Sequence, residues 1–157
     1  MKRVNNIYSH PLYKELLSYI KEAEKDRIYC LHSFSHAIDC ARIAYILALE
    51  ECLPIKKDII YAAALLHDIG RAGEYKEGKD HREESVRLAS EILPQCWFSP
   101  AEQKEIISAI KCHSNSGGEG LSSLLQRADK LSRMCFECKS IHSCKWNDDK
   151  LNMIIMY

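Results

Sequence analysis

Apolar residues recur at intervals of three and four along nearly the whole chain, and no stretch of strict alternation is long enough to suggest a strand. Ser9 followed by Pro11 predicts a helix running to about Ala23, with Leu12, Leu16, Tyr19 and Ile20 on one face. A second helix is predicted from Ser35, as its N-cap, to about Glu50; Ala37, Cys40, Ala41, Ala44, Leu47 and Ala48 form its apolar stripe. From about Lys56 a third helix carries IIYAAALLHD, apolar almost all round, which predicts a central, buried position. Gly70 reads as its stop, placing His67 and Asp68 in the last turn, and residues 71–80, RAGEYKEGKD, read as a polar loop. His81 opens a fourth helix stopped by Pro94. Ser99-Pro100-Ala101-Glu102 is a capping box opening a fifth, which runs to about Cys112 or His113. The segment SNSGGEG reads as a turn, and a sixth helix starts near Leu121 with LLQRADKLSR. The pattern predicts an all-α, single-domain bundle of about six helices over residues 1–157, with a cysteine-rich tail from about residue 134.

Composition narrows the function classes. With 22 basic and 22 acidic residues the net charge is zero, so no basic excess is available to hold a nucleic-acid backbone, and no polymer partner is expected. A local basic patch could still hold a small phosphorylated ligand. The longest apolar run, Ile59 to Leu66, is far short of the roughly 20 residues that cross a bilayer. The first residues lack the apolar run and cleavage site of a signal peptide, and a cytoplasmic location without membrane contact is the expectation.

Eight cysteines are many for such a chain. Cys30, Cys40, Cys52, Cys96 and Cys112 are scattered, which reads as small buried hydrophobes. Cys135, Cys138 and Cys144 are clustered, and with His142 they could form a Cys3His zinc site bracing the tail. Three thiolates could alternatively hold an iron–sulfur cluster, while the plainest reading is reduced thiols packing under the bundle. The apolar ending KLNMIIMY could pack on the bundle or against a second copy, as in a homodimer.

Four other residues stand out together. His36 lies near the start of one predicted helix, His67-Asp68 ends another, and Asp129 interrupts the apolar face of the last. A buried carboxylate needs a cation or several donors to offset its desolvation. Imidazole and carboxylate ligands together suit a divalent transition metal such as iron, manganese, nickel or zinc, with coordination positions left for water and substrate. Nearby, Arg71, Lys130, Arg133 and His32 are candidates to bind substrate phosphate.

The pattern His36, His67-Asp68, Asp129, with its local wording HSFSHAIDCARIA, AALLHDIGR and RADKLSR, resembles the H…HD…D signature of HD-domain metal-dependent phosphohydrolases over roughly residues 27–133. The resemblance implies an HD-like helical fold with a first metal on His36, His67, Asp68 and Asp129. It also resembles a two-metal branch, which implies that Asp68 bridges to a second ion completed by His81 and His113. On this reading one or two metal ions activate a hydroxide against a phosphomonoester or nucleotide-type small molecule. Asp68 and Lys130 are then the candidate catalytic groups. An HD-type diiron oxygenase could use the same six ligands, and a non-catalytic ligand-binding module could keep the fold.

Overall fold

The computed structural model describes residues 1–112 and 118–157, and every regular element among them is helical. Eight α-helices follow in order: α1 (Lys2–Ser9), α2 (Pro11–Ala23), α3 (Phe34–Glu50), α4 (Lys57–Leu66), α5 (Arg71–Glu77), α6 (His81–Gln95), α7 (Pro100–Cys112) and α8 (Leu121–Leu131). The tail adds single 3₁₀ turns at Cys135–Glu137, Ile141–Ser143 and Asp148–Lys150. Among the described residues, no helix is long and apolar enough to cross a membrane.

Helix α4 is the hub, as its all-round apolar sequence requires. It packs against α1, α3, α6, α7 and α8, and Ile59, Ile60, Ala62, Ala63, Ala64, Leu65 and Leu66 are all buried. The alanines let the neighbours approach closely, and α3 offers its own small-residue stripe of Ala37, Cys40, Ala41, Ala44 and Ala48 to α4 and α8. The three ligand-bearing elements, α3, the α4–α5 junction and α8, are therefore held by the tightest part of the core.

Two helices beyond the six expected come from local signals too weak to read. Helix α1, KRVNNIYS, buries only Val4 and Ile7. It is fixed by tertiary contact: Arg3 donates to Asp58 Oδ2 at 2.6 Å and to Glu102 Oε2 at 2.6 Å, tying α1 to α4 and α7. Helix α5 occupies the stretch expected as a loop. It is braced by the Arg71–Glu74 pair and packs on α2 and α6, and its left-handed C-cap is Gly78 (φ 70°).

Smaller corrections follow from the same packing. Ser33, not Ser35, caps α3, accepting from the His36 N–H. Pro94 lies inside the last turn of α6 rather than before its end, where it forfeits one backbone bond. Tyr19 is exposed, since the buried face of α2 is set by Tyr13 and Ile20. Cys30 and Cys52 are exposed and Cys112 half-buried; of the five scattered thiols only Cys40 and Cys96 are core residues.

Gly70 is not a left-handed stop. Its φ of −67° is helical, and it serves as the N-cap of α5. Glycine is needed there because α6 comes so close: an added Cβ would stand 2.0 Å from the His81 carbonyl oxygen and 2.4 Å from the Ser85 nitrogen. The Gly70 N–H also donates to buried Ser85 Oγ at 2.8 Å. Gly70→Ala should therefore force α6 away from the HD turn, at a cost of about 3 kcal/mol or more, read as a lowered urea midpoint. An unchanged midpoint would show that the junction yields freely.

Candidate metal centre

His67 and Asp68 follow directly on α4, where the chain leaves one helix and enters the next within a few residues. Because both residues sit in this tight turn, adjacent side chains can face one point. His36 reaches the same point from the first turn of α3 and Asp129 from the last turn of α8. One donor atom from each of His36, His67, Asp68 and Asp129 lies within 4.8 Å of every other, a spacing within reach of one ion. Asp68 Oδ2 is 3.1 Å from His67 Nε2 and 3.8 Å from His36 Nε2, and Asp129 Oδ1 is 3.2 Å from His36 Nε2.

The outer hydrogen bonds orient both imidazoles. His67 Nδ1 donates to the Ala64 carbonyl at 2.7 Å, which leaves Nε2 as the coordinating nitrogen. Ser132 Oγ donates to the Asp129 carbonyl at 2.9 Å and so accepts from His36 Nδ1 at 3.2 Å. The His36 Nε2 lone pair then faces a carboxylate oxygen. That nitrogen is buried and makes no hydrogen bond among the described residues. Two lone pairs facing each other away from water call for a cation between them, and the mixed nitrogen and oxygen donor set fits a divalent transition metal.

The electrostatics describe a site in which such an ion would displace a proton held by the carboxylates on His67. Burial opposes charge on His67, but the Asp68 and Asp129 carboxylates outweigh it and raise its pKa to about 9. Burial likewise pushes Asp68 up, against which His67, His32 and Arg71 hold it well below the usual carboxylate range. Asp129 is held low in the same way by His36, Arg133 and His67.

Around this centre the cations are arranged unevenly. Arg71 Nε is 3.5 Å from Asp68 Oδ1, and Arg133 Nη2 donates to both oxygens of Asp129 at 3.0 and 2.9 Å, its guanidinium lying 3.8 Å over the Trp146 ring. His32 Nε2 is 3.9 Å from Asp68 Oδ2. These three residues share a cavity of about 360 Å³ with Arg27, Tyr29, Lys145 and Trp146. Lys130 is not among them: one residue past Asp129 it turns about 100° around α8. It is exposed there and lines a separate groove with Arg127 and Lys150.

Glu24 gave no signal in the sequence. At the C-terminus of α2 it is 4% exposed, accepts from the His32 backbone N–H at 2.8 Å and from Tyr75, and takes the His32 Nδ1 proton in a short contact. Burial would raise its pKa, but the His32 and Tyr75 hydrogen bonds hold it low, so it stays a carboxylate. Nothing in the local pattern separates it from the solvated acids around it.

Among the described residues, the other expected ligands stand apart from this group. His81 Nδ1 lies 3.7 Å from Glu74 Oε1 and takes no part in the four-residue group. His113 and the first part of the glycine-bearing turn lie outside the described residues. In the tail, Cys135 is buried, Cys138 and Cys144 are half-buried and His142 is exposed. Among the described residues, the donor atoms of Cys135, Cys138, His142 and Cys144 do not converge as a metal site does. Cys135 and Cys144 instead line the cavity wall. Tyr29 donates to the Ser143 carbonyl, and Asn152 to the carbonyls of Leu131 and Arg133, so the tail is held by ordinary hydrogen bonds.

Comparison with known proteins agrees with this geometry. The family model described as HD domain matches residues 33–134. An uncharacterized protein of Clostridium beijerinckii is 41% identical over the full length of both chains. A Bacillus subtilis protein named "Putative phosphohydrolase YueE" is 29% identical over 143 residues, 80% of this chain and 73% of that one. The crystal structure of a "predicted HD superfamily hydrolase" from an uncultured Thermotogales bacterium is similar with a TM-score of 0.64 at 28% identity, covering 89% of this chain and 81% of that one.

Proposed function

The chain belongs to the HD domain family, and on that premise we propose that it is a metal-dependent hydrolase acting on a small phosphomonoester. The observation that carries this reading is a largely buried His2Asp2 donor set beside a cavity whose walls include Arg71, Arg133 and His32. His36, His67, Asp68 and Asp129 would hold one divalent ion. Such an ion lowers the pKa of water and draws charge from a phosphoryl oxygen.

The chain's own residues do the rest. Arg71 and Arg133 each touch a ligand carboxylate and line the cavity, so they orient the phosphate against the metal end. His32 is fixed by Glu24 at Nδ1, and any proton it gives leaves from Nε2, the nitrogen turned toward Asp68. That places it to protonate the leaving oxygen. Tyr29, Trp146 and Leu151 complete the wall of the same cavity.

The test is elemental analysis of the purified protein together with a panel of phosphomonoesters. About one equivalent of transition metal, with phosphate release that a chelator abolishes, is expected. Stoichiometric metal without phosphate release from any ester would overturn the reading.

A second expectation concerns the chelated protein. His67 is raised from 6.5 to about 9 on folding, so its contribution to stability is present below pH 6.5 and is lost as pH rises to about 9. The melting temperature of the metal-free form should therefore fall across that window. The metal-loaded form needs neutral His67 and should stay nearly flat. Parallel curves for the two forms would contradict the assignment of His67.

A further inference from the structure

Lys145 and Arg27 are not used by the chemistry proposed above, yet they line the same cavity. Arg71 and Arg133 are committed to the carboxylates of the metal centre and to Glu74. By contrast, neither Arg27 nor Lys145 has a carboxylate within ion-pair distance among the described residues. Among the described residues no acidic side chain lines the cavity, in a chain whose net charge is zero. The excess is therefore local to the cavity.

The four cations thus differ in commitment: two are engaged by carboxylates and two are not. Arg27 gives its Nε to the Cys30 carbonyl at 2.8 Å, which fixes the guanidinium on the loop after α2. Lys145 comes from the tail, brought to the same cavity by the Tyr29–Ser143 hydrogen bond at 3.0 Å. The rest of the wall includes Tyr29, Trp146 and Leu151, surfaces suited to an uncharged body. A volume of about 360 Å³ suits a small molecule.

We propose that the substrate carries two separated anionic groups: a phosphomonoester at the metal end and a second phosphate or carboxylate at Arg27 and Lys145. This rests on the phosphohydrolase reading of the metal centre and adds the class of molecule it acts on. A singly anionic ester would leave the outer pair unanswered. Both outer cations are exposed, so the second anion gains only a screened, salt-sensitive attraction.

The test is calorimetric titration of the metal-loaded full chain with alkylphosphonates and with α,ω-bisphosphonates of matching and increasing chain length. At one spacer length the second phosphonate should tighten binding about tenfold at low salt, and the gain should shrink as salt is added. ω-Carboxyalkylphosphonates separate a carboxylate from a phosphate at the outer end. Lys145→Glu should erase the gain. Lys145 makes no hydrogen bond or ion pair among the described residues, so this variant removes no structural contact. Arg27→Gln should reduce the gain. Equal binding of mono- and bisphosphonates at every length, or a gain that survives Lys145→Glu, overturns the inference while leaving the metal centre standing. If plain alkylphosphonates do not bind, the phosphohydrolase reading falls with it.

Discussion

The Asp68→Ala variant is expected to purify without its transition metal and to lose phosphomonoester hydrolysis by about 10³-fold or more, some 4 kcal/mol of transition-state stabilisation. Asp68 Oδ2 stands closest to His67 Nε2 and within 4 Å of His36 Nε2, so its loss removes the oxygen that draws the two imidazoles to one point. The same carboxylate is the leading positive influence on His67, whose pKa should drop from about 9 in the metal-free variant, visible as an upfield-shifting imidazole titration. Helix α4 does not depend on Asp68 for its packing, so the helical circular dichroism should persist. Asp68→Asn separates charge from volume. It keeps the shape and should still bind metal poorly. Wild-type metal content and turnover in either variant would remove the centre from the mechanism.

Glu24→Gln should give the second large effect, of a different kind. The amide is nearly the same size and its carbonyl can still accept from His32 Nδ1, but its –NH2 then meets the His32 backbone N–H and no carboxylate remains to support an imidazolium. His32 then becomes a poor acid at Nε2. A fall in kcat of about 10²-fold is expected for alkyl phosphates, whose alkoxide leaving groups need a proton. The fall should be slight for p-nitrophenyl phosphate, whose phenolate leaves unaided. Metal content should stay at the wild-type level, because Glu24 touches none of the four ligands. A merely structural role would lower both substrates alike, and that outcome would return Glu24 to the category of a buried brace.

The parts of this molecule legible in the sequence are those written in a single periodicity. The stripe Ala37, Cys40, Ala41, Ala44, Leu47, Ala48 and the apolar run of α4 each announce a core helix, and both are buried as expected. The capping box at Ser99 likewise forms, with Glu102 Oε2 accepting from the Ser99 N–H at 2.9 Å. What failed to show depends on pairs far apart in the chain. Helix α1 is held by Arg3 against Asp58 and Glu102, partners 55 and 99 residues away. Gly70 looked like a helix stop because the constraint on it comes from the backbone at His81 and Ser85. Lys130 reads as a catalytic candidate because it adjoins Asp129 in sequence, yet its ammonium lines a separate groove, and Arg133, four residues after Asp129, puts its guanidinium on the carboxylate. Glu24 was invisible because burial, not residue type, distinguishes it.

The segment matched by the family model runs from residue 33 to 134 and contains every donor of the metal centre. Arg27, Tyr29, Cys30, His32, Cys144, Lys145, Trp146 and Leu151, which close the cavity, all lie outside it. The four metal-centre donors thus lie within the family segment, while much of the cavity wall beside them comes from the residues flanking it. A chimera keeping residues 33–134 and exchanging the flanks with those of a relative should keep its metal and change the ester it prefers.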